Sequence, residues 1–383
     1  MIYADLHVHI GRSLDGKPVK ITAAATLTLP NIIREARDVK GLSLIGLVDA
    51  HSSGVRHDFA ALLEEGVLKP LPGGGYRTGG LTVIPGSEVE LSLGSRSAHL
   101  LAYFPEMAAV EDYVKRLKPY VKNWQLSSQK ANVSVEDWTQ AVERVNGVWL
   151  PAHAFTPHKG IYGNCCRSLH EVLPKMPLGL EIGLSADRKM ARTLSELDGV
   201  ELFSNSDAHS LPNLAREYNA LSLSENSFEG LKLLLEKKSG RLMANYGLMP
   251  EVGKYHRTYC LVCEAVVQEE PPVLVCPRCG STKVVMGVMD RLVAIADRSI
   301  EVFLGAYHYQ IPLRQLPGIG PKMIQRLLAG FGTEMAILHE VPLEDIARVG
   351  GDKIARLIEH SRSGTLQVSA GGGGVFGKVV DRY

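Results

Sequence analysis

Histidines and carboxylates recur beside one end of the predicted strands in the first two thirds of the chain. Five of the seven predicted strands have such a residue at or shortly beyond the carboxyl end, and one more has a histidine near its start. In chain order these residues are His7, His9, Asp49, His51, Glu88, His99, His153, Asp207 and His209. A mixed set of imidazoles and carboxylates suits Zn²⁺, Mn²⁺ or Fe²⁺. Such cations lower the pKa of bound water from about 15.7 toward 7, so the set predicts metal-dependent hydrolysis of phosphate esters.

Each of these residues, taken alone, has an ordinary explanation. A single histidine is more often a packed or surface residue than a ligand, and Asp49 or Asp207 could cap a turn. These explanations do not account for the recurrence at strand ends, which favours the metal interpretation. The adjacent thiols of Cys165 and Cys166 suggest a nucleophile, but water activated by a metal needs none. We therefore interpret both cysteines as loop or core residues.

Strands and helices must alternate to position these side chains. The predicted strands are Met1–Val8, Leu42–Val48, Leu81–Pro85, Ala98–Phe104, Gly147–Ala152, Gly179–Leu184 and Val200–Ser204. The predicted helices include Pro30–Val39, Val110–Val121, Val135–Val145 and Ser227–Lys237. This alternation predicts an α/β fold with a parallel sheet, open or closed. In a closed barrel, the carboxyl ends of the strands meet at one rim and would gather the ligands there.

Four cysteines form two Cys-x-x-Cys pairs with twelve residues between them. They are Cys260, Cys263, Cys276 and Cys279. Two such pairs can close one tetrahedral zinc site, and the alternative of two redox pairs lacks a thioredoxin-like context. The pattern predicts a zinc ribbon with one structural Zn²⁺. The ribbon would serve either to hold the fold together or to contact DNA.

Two glycine hairpins precede amphipathic helices near the C-terminus. Leu316–Lys322 leads into one helix and Val349–Lys353 leads into another. Glycine permits the tight turn and exposes backbone N–H groups at the helix start, where they can bind phosphate. The predicted DNA contacts are Gly318, Gly320, Lys322, Gly350, Gly351 and Lys353. The pattern resembles a tandem helix-hairpin-helix domain, although the second hairpin departs from Gly-x-Gly. An ordinary helix turn or a protein contact is the alternative.

The length and composition of the chain limit how these motifs can be interpreted. The chain has 383 residues, with 45% hydrophobic and 22% charged residues and a formal net charge of +1. These values predict two or more domains, and they predict that any DNA binding comes from local geometry. The N-terminus lacks the pattern of a signal peptide, and there is no apolar run near twenty residues. We therefore expect a cytoplasmic protein with no membrane partner. The predicted segments are a barrel at 1–250, the ribbon at 251–288, a linker at 289–312, the hairpin domain at 313–365 and a flexible tail at 366–383.

The ligand motifs resemble those of the polymerase-and-histidinol-phosphatase (PHP) superfamily of phosphoesterases. This resemblance implies a distorted, seven-stranded TIM-like barrel with two to three divalent cations (Zn, Mn, Mg or Fe) at its rim. Carried over by motif, the implied ligands are His7, His9, Asp15, His51, Glu88, His99, His153, Asp207 and His209, of which His7, His9, Glu88, His153, Asp207 and His209 are the implied catalytic set. Asp15 rests only on its spacing after His-Val-His. The second motif reads Asp-Ala-His where many members have Thr-Asp-His, which leaves the role of Asp49 open.

The order of barrel, ribbon and hairpins resembles the endonuclease Q family over nearly the whole chain. This resemblance implies DNA repair by nicking on the 5′ side of deaminated bases (uracil, hypoxanthine, xanthine) or abasic sites, with the damaged nucleotide flipped out. The predicted base pocket is the loop Gly160, Ile161, Tyr162, Gly163 and Asn164, with a structural glycine turn as the alternative. Trp124 and Gln125 either contact the DNA duplex or pack within the protein. The tail shows no evident sliding-clamp peptide.

Two other functions stay open from the sequence. One is a small-molecule phosphatase similar to the histidinol-phosphate enzymes, and the other is a non-catalytic DNA-binding scaffold. The ribbon and hairpins argue against the first, because a small ester needs no clamp on a DNA backbone. The full ligand set argues against the second. The sequence does not indicate an oligomeric state.

Overall fold

The fold centres on a mixed β-sheet. The computed structural model describes residues 1–299 and 306–380. In the described residues the strands are β1 Ile2–Val8, β2 Leu44–Leu47, β3 Lys69–Pro70, β4 Tyr76–Thr78, β5 Leu81–Leu93, β6 Arg96–Tyr103, β7 Lys130–Ala131, β8 Val148–Pro151, β9 Gly179–Glu181, β10 Glu201–Phe203, β11 Tyr218–Ser222, β12 Arg241–Gly247, β13 Tyr259–Cys260, β14 Ala265–Val266, β15 Val284–Val285, β16 Tyr307–Tyr309, β17 Val368–Ser369 and β18 Lys378–Val379.

Helices cover the sheet and form the C-terminal module. Those of the described residues are α1 Leu29–Arg34, α2 Ser53–Glu64, α3 Met107–Leu117, α4 Val135–Glu143, α5 Arg188–Ala191, α6 Phe228–Leu235, α7 Val288–Ile295, α8 Pro321–Phe331, α9 Glu334–His339, α10 Leu343–Gly350 and α11 Asp352–Ser363. A π-helical turn, Glu35–Lys40, continues α1. Across the described residues, none of these helices has both the length and the apolar character needed to cross a bilayer.

All seven predicted strands occur, but the prediction of a parallel sheet is wrong. Strands β1, β2 and β5 run parallel, whereas β6 runs antiparallel to both β5 and β8. Strands β11 and β12 extend the sheet beyond β1, and β9 and β10 form a separate parallel pair. The pairing establishes a mixed α/β fold, and closure into a seven-stranded barrel stays a prediction.

The reversal of β6 explains how a histidine near the start of a strand reaches the same edge as carboxylates at strand ends. Strand β5 returns as β6 through a turn at Gly94, which has a φ of +63°. In this register His99 lies opposite Glu90, two residues beyond Glu88. The first half of an antiparallel strand lies beside the last half of its neighbour. His99 therefore lies next to the ligand positions of β5.

Strand β1 presents its polar residues on one face. Residues 3–8 of β1 are buried, as expected for a strand covered on both sides of a sheet. Side chains alternate in direction along a strand, so Ala4 and Leu6 enter one apolar cluster with β2, while Asp5 and His7 point the other way. The same alternation carries His9 to the face of His7.

The helical module packs directly on the sheet. Lys40 and Glu334 form an ion pair of 2.8 Å in which both side chains are almost fully buried. His339 of α9 stacks on Tyr3 with ring centroids 4.7 Å apart, and Tyr218 Oη lies 2.7 Å from its Nε2. Burial, with a smaller contribution from Arg362, lowers the pKa of His339 to about 4, so this ring is neutral at pH 7. These contacts fix the module against the strand that carries His7.

Two predicted segments of the C-terminal third, the linker and the tail, contain regular secondary structure. The segment predicted as a linker, 289–312, contains most of α7 and the strand β16, which adds to the sheet beside β12; its residues 300–305 lie outside the described residues. The tail predicted to be flexible contains the hairpin β17–β18. The Gly371 N–H of this tail donates to the backbone carbonyl of Glu251 at 2.7 Å. A side chain on Gly371 would collide with the Val252 carbonyl. These glycines allow two backbone segments to approach closely, whereas the sequence had suggested a flexible chain. Residues 381–383 lie outside the described residues.

Candidate metal centre

Seven of the nine implied ligands come together at one edge of the sheet. Their donor atoms form three overlapping groups, each with all atoms within 4.8 Å of one another. The groups are His7, His9 and Glu88; His9, Asp207 and His209; and Glu88, His99 and His153. They come from β1, β5, β6 and the loops after β8 and β10. The prediction that distant motifs converge is confirmed for these seven residues, and their metal binding stays a prediction.

Glu88 lies at the centre of the cluster. Its Oε1 lies 2.9 Å from His99 Nδ1, 3.5 Å from His7 Nε2 and 3.6 Å from His153 Nε2, while Oε2 lies 3.5 Å from His9 Nε2. The side chain is 1% exposed, and Oε1 has no hydrogen bond within the described residues. A buried carboxylate oxygen without a donor is costly unless a cation meets it. This donor set therefore fits a carboxylate that would help to hold divalent cations.

Two further carboxylates orient the β1 histidines. Glu181 Oε2 lies 2.9 Å from His7 Nδ1, and Asp49 Oδ2 lies 3.0 Å from His9 Nδ1. A carboxylate on one ring nitrogen fixes the tautomer and directs the other nitrogen to the metal. Asp49 thus lies where it can orient the His9 ring. The sequence interpretation missed Glu181. It is the last residue of β9, and a carboxylate at the end of a strand is the same signal that identified the other residues.

Replacing Glu181 with glutamine is expected to weaken metal binding by about 10- to 100-fold. The amide keeps the size of the side chain but removes the charge that holds His7 in position. Titration against a fluorescent chelator measures this affinity. Glu236→Gln, which changes a surface partner of Lys238, is the matched control and should leave the affinity unchanged. Equal affinities for the two variants would contradict the orienting role.

The acids of the cluster are ionised in the neutral range. Burial raises the pKa of Glu88, but His99 and Lys20 outweigh it and hold the pKa well below its usual value. Burial also raises the pKa of Asp207, and His7 and His9 hold it well below its usual value. Burial lowers the pKa of His7, but the carboxylates of Glu181 and Asp207 raise it to about 10. A cation that binds His7 would therefore displace a proton, as is usual for metal ligands.

Two ligand positions have left-handed backbone conformations. His153 has a φ of +28° and Asp207 a φ of +46°, which is unfavourable for side-chain-bearing residues. The His153 N–H donates to Glu181 Oε1 at 3.2 Å. Arg216 donates to the carbonyls of Ser206, at 2.7 Å, and Asp207, at 3.2 Å. Such strain persists where the surroundings hold it, and it clusters at functional sites.

Asp15 and His51 lie outside all three donor groups. Asp15 is 41% exposed and pairs with Lys17 at 2.6 Å. His51 is buried, with Nδ1 bound to Ser87 Oγ at 2.9 Å and Nε2 3.4 Å from the Leu126 carbonyl. Its ring packs edge-on against Trp124. The structure does not bring either residue into the three donor groups, so metal binding by Asp15 and His51 stays a prediction.

The loop predicted as a base pocket is closely packed in this structure. Ile161 and Tyr162 are fully buried in a π-helical turn, Ile161–Cys165. Tyr162 stacks on Phe155 with centroids 5.2 Å apart and donates to Glu196 at 2.8 Å, so it is not open to an extruded base. Side chains on Gly160 or Gly163 would collide with the carbonyl of Thr156, and Asn164 donates to Ser97. The pocket stays a prediction, and the glycines allow close packing. Trp124 likewise packs, against the His51 ring. The side-chain carbonyl of Gln125 accepts a hydrogen bond from Ser53 Oγ at 2.7 Å.

The four cysteines of the ribbon converge as predicted. Their sulfurs lie within 4.8 Å of one another, with Cys260 and Cys279 at 3.7 Å and Cys263 and Cys276 at 3.8 Å. A tetrahedron with Zn–S bonds of about 2.3 Å has edges of about 3.8 Å, so the spacing suits Zn²⁺. The strands β13, β14 and β15 carry the site.

The two glycine hairpins precede α8 and α11. Gly318 has a φ of +80° and Gly351 a φ of +89°, as the tight turns require. A second helix, α10, leads into the second hairpin, but only a short 3-10 turn, Leu313–Gln315, leads into the first. The remaining predicted contacts are Gly320, Lys322, Gly350 and Lys353, of which Gly320, Lys322 and Lys353 are exposed. Their DNA contacts stay predictions.

Comparison with known proteins places the chain in a family. No model of a known protein family matches it. It is 42% identical to the uncharacterized protein YqxK of Bacillus subtilis (strain 168), over 99% of both chains. It superposes with a TM-score of 0.83 on the lesion-specific endonuclease PfuEndoQ of Pyrococcus furiosus, at 29% identity over 99% of this chain and 94% of that one. It superposes equally, at 30% identity over 99% and 96%, on endonuclease Q in complex with a 27-mer duplex that carries an abasic lesion at the active site. With this identity and coverage, the chain belongs to the endonuclease Q family.

Proposed function

We propose that this chain is a DNA repair endonuclease that nicks the phosphodiester on the 5′ side of a deaminated base or an abasic site. The observation that carries the proposal is the end-to-end match to endonuclease Q solved on a duplex with an abasic lesion at its active site. The clustered histidines and carboxylates supply the hydrolytic centre that such a reaction needs. DNA is accordingly the proposed partner.

The residues divide the catalytic work between them. The imidazoles, Glu88 and Asp207 would hold the cations, which supply hydroxide at neutral pH and offset charge on the phosphate. Glu181 and Asp49 keep Nε2 of His7 and His9 free for ligation. Arg216 holds the loop of Asp207 by its carbonyls. The chain itself then needs no serine or cysteine nucleophile.

The burial of the centre supports the idea that the damaged nucleotide leaves the duplex. His7, His9 and Glu88 are at most 1% exposed, whereas Asp207 and His209 are 27% and 29% exposed and form the open side. A phosphate flanked by stacked bases fits such a recess less readily than one beside a flipped nucleotide. Damaged or abasic sites cost the least to flip, which gives one source of selectivity.

The test is cleavage of labelled duplexes with Mn²⁺ or Mg²⁺. One set carries a single uracil, hypoxanthine, xanthine or abasic site, and the matched duplex is undamaged. A single nick on the 5′ side of the lesion, with the undamaged duplex intact, is the expected result. Hydrolysis of histidinol phosphate with all duplexes intact would instead support a small-molecule phosphatase. DNA binding with neither activity would support a scaffold.

The hairpin lysines provide a separate prediction about affinity. Changing Lys322 and Lys353 to alanine is expected to weaken binding of damaged and undamaged duplex alike, because phosphate contacts carry no sequence information. The slope of log affinity against log salt should become shallower by about one for each phosphate that the variant no longer binds. Binding measured at several salt concentrations checks this. The matched control is Lys115→Ala, at an exposed position on α3; equal salt slopes for all three proteins would contradict the clamp.

A further inference from the structure

The C-terminal hairpin, β17–β18, contacts three parts of the chain. The Gly377 N–H donates to the Val252 carbonyl at 2.9 Å, which holds the hairpin on the segment that follows β12. Its turn lies so close to the ribbon that a side chain on Gly372 would collide with Val266 of β14. Phe376, just before β18, reaches the loop after β10. The hairpin therefore joins the ribbon to the loop that carries part of the metal centre.

The ring of Phe376 lies close to two cationic side chains. Its centroid is 5.7 Å from the guanidinium carbon of Arg216 and 5.7 Å from Lys254 Nζ. Both distances fall within the range of about 6 Å over which the face of an aromatic ring attracts a cation. This attraction is stronger where the cation is shielded from water, and Arg216 is half-buried. Phe376 therefore holds the guanidinium of Arg216 in place.

Arg216 acts directly on the backbone that carries Asp207. Its Nε and Nη2 donate to the carbonyls of Ser206 and Asp207, one on each side of the left-handed turn at Asp207. Such a conformation persists only where the surroundings hold it. Both donors belong to one planar guanidinium, so a rotation of that group would disturb both hydrogen bonds together. A contact that fixes the guanidinium therefore also fixes the backbone from which the Asp207 carboxylate extends to the centre.

The space beside Phe376 is not filled by other side chains. A cavity of about 450 Å³ separates part of the hairpin from the loop after β10, and Phe376, Asn213, Leu248 and Gln315 are among the residues that line it. A smaller side chain at position 376 would enlarge a space that already exists and would not open a new one in a packed core. Changes at this position are therefore expected to preserve the fold, which makes the role of the ring testable.

We propose that Phe376 is a positioning residue of the metal centre, and that the C-terminal hairpin, through Phe376 and Arg216, fixes the loop of Asp207 and so sets the affinity of the centre for divalent cations. The tail needs to touch neither a cation nor DNA to have this effect. The inference rests on Asp207 as a metal ligand. Its consequence for nicking rests on the proposed function, whereas its consequence for metal affinity does not.

Titration of the full-length chain with Mn²⁺ against a fluorescent chelator tests the proposal without any activity. Phe376→Leu keeps an apolar side chain but removes the ring, and it is expected to weaken Mn²⁺ binding by about tenfold, the lower end of the range for groups that orient metal ligands. Phe376→Tyr keeps the ring and should bind Mn²⁺ as the wild type does. Val375→Ala, at the exposed neighbouring position, is the matched control. Wild-type affinity in Phe376→Leu, or no recovery in Phe376→Tyr, would overturn the proposal.

A double-mutant cycle tests whether the ring acts through Arg216. Arg216→Lys keeps the charge but loses the paired donors, so it should itself weaken Mn²⁺ binding. If Phe376 acts through the guanidinium, adding Phe376→Leu to Arg216→Lys should cost little further affinity, because coupled residues are not additive. Additive losses in the double variant, or wild-type affinity in Arg216→Lys, would overturn the proposal.

The dependence of nicking on Mn²⁺ separates a positioning role from general damage to the fold. Phe376→Leu should nick slowly at limiting Mn²⁺ and return to the wild-type rate at saturating Mn²⁺, because only the position of a ligand has changed. A loss of rate that persists at saturating Mn²⁺ would overturn the proposal. If no protein nicks DNA, wild type included, while the affinities for Mn²⁺ follow the expected order, the proposed endonuclease is refuted and the positioning role stands.

Discussion

Replacing Asp207 with alanine is expected to abolish nicking while the fold and DNA binding persist. Asp207 Oδ1 lies 3.4 Å from His9 Nε2 and 3.6 Å from His7 Nε2, so its loss removes an anionic ligand from the buried site. Activation of water by metal contributes several kcal/mol, and each 1.36 kcal/mol is tenfold in rate. We therefore expect the single-turnover nicking rate to fall by about 1,000-fold or more. Thermal melting and a binding assay at equal salt check the fold and the affinity.

Asp15→Ala is the matched control for Asp207→Ala. Family resemblance gave both aspartates as ligands, but the structure leaves Asp15 on the surface with Lys17. Asp15→Ala should nick at the wild-type rate and retain its metals. Full activity in Asp207→Ala would remove this residue from the centre. A large loss in Asp15→Ala would show that the loop after β1 reaches the cations.

The sequence predicts the centre well where chemistry and strand position coincide. His7, His153 and Asp207 could be found because each lies at or shortly after the end of a predicted strand, and strand ends on one edge of a sheet converge. The same reasoning could not show that the His51 ring is bonded to Ser87 and Leu126, because only the fold brings these residues together. The periodicity of one segment does not indicate which residues of a distant segment will contact it.

Other features of the structure could not be predicted from the sequence for a related reason. The orientation of β6 depends on a hairpin register, and a run of apolar residues has the same pattern in either direction. Glu181 and Lys20 become part of the centre only through contacts with β1 and β5. Tyr162 lies between Gly160 and Gly163 in a sequence typical of a loop, yet its ring is buried in the core against Phe155. Loop composition predicts turns well and burial poorly.

Changing Cys276 to serine is expected to release the ribbon zinc and unfold residues 258–285. The ribbon has a core of few apolar residues, Val267 and Val273 among them, so the metal provides most of its stability. Structural zinc sites in small domains are worth about 10 to 16 kcal/mol at neutral pH, and a missing thiolate forfeits much of this. Zinc content and limited proteolysis within the ribbon measure the loss. Cys165→Ser, at a half-buried thiol outside the cluster, is the matched control and should retain the zinc.

The effect of Cys276→Ser on nicking separates the two roles left open for the ribbon. Asp290 of α7 accepts the N–H groups of Thr258 and Val273, and the adjacent Arg291 donates to the carbonyls of Tyr162 and Cys166. The ribbon is thereby linked through α7 to the loop that follows His153. If the ribbon only supports this loop, nicking should fall while the salt slope of DNA binding stays constant. If it contacts the duplex, the slope itself should become shallower. The contacts through Asp290 and Arg291 favour the first outcome.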